Sequence, residues 1–176
     1  MSSGKSSENY KARYRPYLIA MALAFVLTML VAPEVVEGDG MSPAISNGGC
    51  IVLAKESYSE KRGTPERGDV VVLDKLVTKE YREGADYKND NLVGRVVALP
   101  GETVREEELL GDYPGPVVLT EKQIWIVQDN WASEMSDKEQ RGQYLDSRVM
   151  GPVDLTDIRG SAKWIVWPLA NIGGIK

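Results

Sequence analysis

The chain reads as a mainly β domain preceded by one transmembrane helix, and three observations predict this. Residues 17–32 carry no charge, and four basic residues stand before them. After residue 36 the apolar runs are short and rich in β-branched side chains. Turn-forming clusters separate those runs, and no stretch beyond the anchor shows a long helical period.

The basic flank holds Lys5, Lys11, Arg13 and Arg15 against Glu8 alone, a net of +3 in a chain whose total is −5. That asymmetry places residues 1–16 in the cytoplasm and the body on the outer side of a membrane. Sixteen helical residues span about 24 Å, short of a hydrocarbon core of about 30 Å. Running the helix on through Val36 supplies the missing length, at the cost of including Pro33 and Glu34. The sequence therefore predicts an anchor over 17–36. A cleaved leader fits less well, because Leu30 would occupy the −3 position before Ala32. A core helix fits less well too, since only Thr28 breaks the apolar surface.

The domain over 37–176 has apolar runs at 51–53, 70–73, 92–98, 117–119, 124–127 and 164–167. Between them lie Asn47-Gly48-Gly49, Arg67-Gly68-Asp69, Leu99-Pro100-Gly101 and Tyr113-Pro114-Gly115-Pro116. Charged stretches at 75–91 and 133–143 read as solvated connections. Trp125, Trp164 and Trp167 are expected in the core, whereas Trp131 suits either packing or a membrane interface.

Composition excludes several chemistries. There is no histidine, so no Ser-His or Cys-His mechanism and no imidazole-bound zinc is available. No metal and no cofactor are expected. The acidic balance, 26 against 21, argues against a nucleic-acid partner. The single Cys50 opens an apolar run and reads as a small structural hydrophobe.

Five segments in order resemble the type I signal peptidases, serine peptidase family S26. They are the anchor, GDGMSPAI at 38–45, RGDVVVL at 67–73, GRVVALPGETV at 94–104, and a split motif. The split motif is Gln128-Asp129-Asn130 followed by Asp146-Ser147-Arg148-Val149-Met150-Gly151-Pro152-Val153. In the family the first part reads Gly-Asp-Asn, and the stretch before Asp-Ser-Arg is shorter, so 131–145 is expected to be a surface insertion. The resemblance implies a signal-peptidase-like β domain with a cleft for an extended peptide, lined by Met41, Pro43, Arg95, Val96 and Val97. It also implies a structural role for Asp129, Asp146, Ser147 and Arg148. Two residues apart on a strand, Asp146 and Arg148 would share a face and pair.

The same resemblance places a serine nucleophile before Met41 and a lysine base before Arg95. Here those positions are Gly40 and Gly94. The supporting hydroxyls fall on Gly38 and Tyr144, so all four polar groups differ from the pattern. A shifted dyad of Ser42 with Lys55 or Lys75 is the alternative, although lysines ending apolar strands are normally solvated and poor bases. Similar degenerate proteins act as accessory factors of Gram-positive pilus assembly. The resemblance thus implies a membrane-bound factor or chaperone holding a pilin or a sortase without cutting it. The alternatives are an active signal peptidase, a serine endopeptidase of exported proteins, and a purely structural ectodomain closed by Tyr144 and the insertion.

Overall fold

A 27-residue helix, α1 (Gly4–Leu30), leads directly into strand β1 (Val31–Val36). The computed structural model describes residues 4–56, 58, 59, 61–73, 92–105, 109, 116–130 and 146–175. The predicted connection at 75–91, the insertion at 131–145 and Trp131 lie outside the described residues. Within α1 the window Arg13–Leu30 is long and apolar enough to cross a membrane, and none of it is buried against the domain.

The helix ends at Leu30 and does not run on to Val36 as the sequence predicts for an anchor. Its extra length lies on the N-terminal side, through Arg13 to Pro16, and residues 31–36 pair with β2. The reason is local. Val31, Val35 and Val36 favour an extended chain, and β1 is a sheet edge, where Pro33 needs to donate no ladder hydrogen bond. Glu34 is matched by Arg159 at 2.9 Å, so the charge that would be expelled from a bilayer has a partner on the domain.

The remaining elements are β2 (Gly49–Ala54), β3 (Val70–Leu73), β4 (Val93–Ala98), β5 (Gln123–Val127), the one-turn helix α2 (Ser147–Met150), β6 (Val153–Asp154), β7 (Ile158–Trp167) and β8 (Gly173–Gly174). They form a curled antiparallel sheet in the order β1-β2-β7-β3-β4-β5-β6, with β8 on β7. The run at 117–119 makes only a bridge, through Val104 N–H to Val117 O and Leu119 N–H to Glu102 O, both 2.8 Å.

β3 shows why a four-residue apolar run is needed. Val70 and Val72 enter one cluster with Met41, Ile45, Ile51 and Leu53. Val71 and Leu73 enter another, with Val96, Ile124, Ile126 and Leu155. A strand covered on both faces loses the polar alternation of a half-exposed one. A third cluster surrounds Trp125, which is fully buried as the sequence predicts.

Trp164 and Trp167 do not follow that expectation, being 58% and 54% exposed. Their cross-strand neighbours are Val52 and Pro33 for one, Cys50 and Val35 for the other. These side chains share the outer face of β1, β2 and β7, adjoining the end of α1. Cys50 is half-buried there and not a core residue.

Close contact between β2 and β7 depends on Gly160, where any Cβ would overlap the Ala54 carbonyl oxygen. Gly160→Ala is expected to lower stability by about 3 kcal/mol, read as a fall in the urea midpoint of the solubilised protein. An unchanged midpoint would mean that the two strands do not meet at this register.

Candidate functional site

The segment at 38–46 turns back on itself between β1 and β2. Ser42 N–H donates to Asp39 O at 2.9 Å and Ile45 N–H to Met41 O at 2.8 Å. Met41, only 1% exposed, and Ile45 drive into the core and hold the turn down. Met41 is therefore a fixing residue and not part of an open cleft lining, and the segment is not extended.

The three glycines expected to mark lost chemistry have different reasons to be glycine. Gly38 has φ of +89°, a left-handed conformation that disfavours side chains, and its N–H donates to Asn47 Oδ1 at 3.2 Å. Gly40 and Gly94 have no such backbone requirement. Their constraint is space. A Cβ on Gly40 would lie 2.5–2.7 Å from the carboxamide atoms of Gln128. A Cβ on Gly94 would lie 3.0–3.3 Å from Cδ1, Cβ and Cγ1 of Ile126.

Ile126 and Gln128 are two residues apart at the end of β5, so they share a face and stand about 7 Å apart. The structure thus brings Gly40 and Gly94 to successive positions over one strand. Gln128, not singled out by sequence, fills the space beside Gly40. The signal was present in the substitution of Gln128 for the glycine of the Gly-Asp-Asn pattern, but its meaning required knowing that residues 40 and 128 touch.

The backbone of β5 is fixed by the Asp146-Ser147-Arg148 segment. Asp146 is completely buried and is the N-cap of α2, not a strand residue, so its pairing with Arg148 arises from a helical turn. It accepts from Arg148 N–H at 2.9 Å, from Gln128 N–H at 3.0 Å, and from the Arg148 guanidinium. Ser147 Oγ accepts from Ile126 N–H at 3.0 Å, and Arg148 Nη2 donates to Gln128 O at 3.3 Å. Asp129 faces the other way. It receives Nε and Nη2 of Arg95 at 2.8 and 2.6 Å, while Arg95 Nη1 reaches Gly68 O at 2.9 Å. That carboxylate raises the Arg95 pKa further above its ordinary value, against the opposing effect of burial.

The cleft residues implied by the resemblance are not presented together. Arg95 is committed to Asp129, Val96 is fully buried beside Ile126, and Val97 packs near Trp125. Pro43 is exposed on the turn. Of the shifted dyads, Ser42 with Lys55 is not brought together either. Ser42 belongs to the turn entering β2, whereas Lys55 leaves its far end, about 20 Å along a six-residue strand. Lys55 Nζ donates to Thr28 O at 3.1 Å, at the negative end of the α1 dipole. Lys75 and Tyr144 lie outside the described residues.

One further serine has a carboxylate partner: Ser161 Oγ donates to Glu56 at 2.7 Å. Ser161 is fully buried, so no substrate reaches its hydroxyl. Tyr58 also donates to Glu56, and burial followed by that carboxylate pushes its pKa up to about 12. This polar cluster joins β2 and β7 as a structural contact.

A curled antiparallel sheet, the order of the motifs and an N-terminal helix apolar enough to cross a membrane define a peptidase-type domain. The chain belongs to the signal peptidase family, peptidase S26, whose family model matches residues 12–110, more than half of its length. It is similar to signal peptidase I of Bacillus licheniformis, 25% identical over 96% of both chains. Signal peptidase I of Bacillus amyloliquefaciens is 27% identical over 84% of both. The mitochondrial ATP-independent inner membrane protease subunit 1a of Arabidopsis thaliana is 28% identical over 84% of this chain and 77% of its own.

Asp146→Ala is expected to cost about 3–5 kcal/mol, because it strips a buried guanidinium of its counter-charge. Unfolding in urea, with faster amide exchange at Ile126 and Gln128, measures it. Slower or unchanged exchange there would remove the clamp from the account. A second cycle addresses the filled space. Gly40→Ser should destabilise by about 1–2 kcal/mol, and by less than about 0.5 kcal/mol once Gln128→Ala has made room. Additive losses in the thermal melts of the four proteins would show that the two side chains do not compete.

Proposed function

We propose that this protein is a non-cleaving, membrane-anchored member of the signal peptidase family. It holds an extended segment of an exported polypeptide at the outer face of the cytoplasmic membrane. The observation that carries this reading is the pairing of Gly40 and Gly94 over β5, with the Gln128 carboxamide in the space a nucleophile would need. A serine–lysine mechanism requires a hydroxyl and a desolvated amine within hydrogen-bond reach. No such pair converges among the described residues.

The topology proposed is a single pass, with the basic flank inside and the β domain outside. The exposed tryptophan face beside the end of α1 supports it, since aromatic side chains suit the interfacial layer. A pilin, or a sortase acting on it, is the proposed partner, as an assembly factor that binds without processing.

The second reading is an active signal peptidase, and the names of the relatives favour it. Incubating the detergent-solubilised protein with a preprotein separates the two. The expected result is retention of the preprotein uncut, with no product above the buffer control, and enrichment of pilin or sortase in pull-downs of membrane fractions. Cleavage at the signal-peptide junction that disappears in Ser42→Ala would establish the peptidase instead. Neither cleavage nor retention would leave the domain as a structural one.

A further inference from the structure

Gln128 is mounted rigidly and its side chain is left with work undone. Its N–H is given to Asp146 and its carbonyl receives Arg148, so the main chain cannot shift without giving up two hydrogen bonds to the buried ion pair. Its carboxamide lies against the bare Cα of Gly40. There Oε1 is shielded from solvent and accepts no hydrogen bond among the described residues. A buried amide oxygen without a donor is unfavourable, and such groups in folded proteins call for an explanation.

The surroundings select the donor. Ile126, Gly40 and Gly94 contribute no charge. Asp146 is neutralised by Arg148, and Asp129 by Arg95. A cationic donor would enter without a counter-charge and lose its hydration. An anion would offer no proton to an acceptor. A neutral donor remains, and the peptide N–H is the neutral donor that an exported chain supplies at nearly every residue. Gly40, side-chain-free against the carboxamide, leaves room for a polypeptide backbone to approach once the carboxamide turns away.

We propose that Gln128 is an amide reader. Its carboxamide turns off Gly40, Oε1 accepts a main-chain N–H of the held segment, and Nε2 donates to a carbonyl of the same segment. The chemistry is that of amide–amide pairing, with no bond made or broken. This inference rests on the peptide-holding reading given above and adds the residue that carries the recognition.

The test uses the full-length protein in detergent and a fluorescent synthetic peptide with an Ala-x-Ala run and no Asn or Gln. Anisotropy titration is made with wild type and Gln128→Leu, and with peptides N-methylated at one residue at a time. We expect Gln128→Leu to weaken binding about tenfold. One N-methyl position should weaken wild-type binding by a similar factor and have no further effect in the variant. Equal binding by Gln128→Leu overturns the amide reader while leaving the peptide-holding reading intact. An N-methyl scan without any loss in wild type does the same, and it stands even if the variant fails its melting control. Absence of binding by wild type overturns both.

Discussion

The buried carboxylate of Asp146 is the interaction on which the rest of this domain's site depends. A charge with no solvent contact survives only when donors surround it. Here they come from the first turn of α2, from the Arg148 guanidinium and from the Gln128 N–H of β5. Satisfying Asp146 therefore fixes where β5 ends. The position of β5 in turn decides which side chains face Gly40 and Gly94. Ser147 repeats the arrangement one step back, at Ile126. A motif that looks like a run of polar residues in sequence works as a clamp on a strand about twenty residues away.

The glycines separate into two kinds once their surroundings are known. At residue 38 the backbone conformation requires glycine. At residues 40 and 94 φ is not left-handed, and what limits a side chain is the space taken by Gln128 and Ile126. Only the second kind depends on what packs against the position. A nucleophile deleted to glycine would leave a small void, and a void in a packed interior forfeits contacts. Gln128 fills it. The space a side chain at 40 would take is occupied by the carboxamide of residue 128.

Much of the architecture was legible because it follows from the side chains' own periodicity. The apolar runs at 70–73 and 124–127 fall in strands, since continuous β-branched runs suit strands buried on both faces. Residues 31–36 were misread because anchor length was argued from membrane thickness. A helix can gain that length at either end, and the edge position that tolerates Pro33 is a tertiary fact. β7 was legible only in its last part, because its first half, Ile-Arg-Gly-Ser-Ala-Lys, has too little apolar pattern to show a central strand. The outward-facing Trp164 and Trp167 were read as core because hydrophobicity does not say which sheet face is covered.

The candidate site was legible at the level of position and not of contact. Motif order placed Gly40 and Gly94 at related points, but their relation runs through Ile126 and Gln128, which no spacing rule connects to them. The same limit explains the cleft residues. Met41 and Val96 sit close to those glycines in sequence, yet Met41 is turned into the core by a compact turn and Val96, on the same face of β4 as Gly94, packs against Ile126, so both are buried. What remains near the glycines is a neutral, rigidly mounted carboxamide on a strand end that cannot move without exposing Asp146. Among the described residues the carboxamide Oε1 there is a buried acceptor without a donor, and a carboxamide offers hydrogen bonds but no proton to transfer.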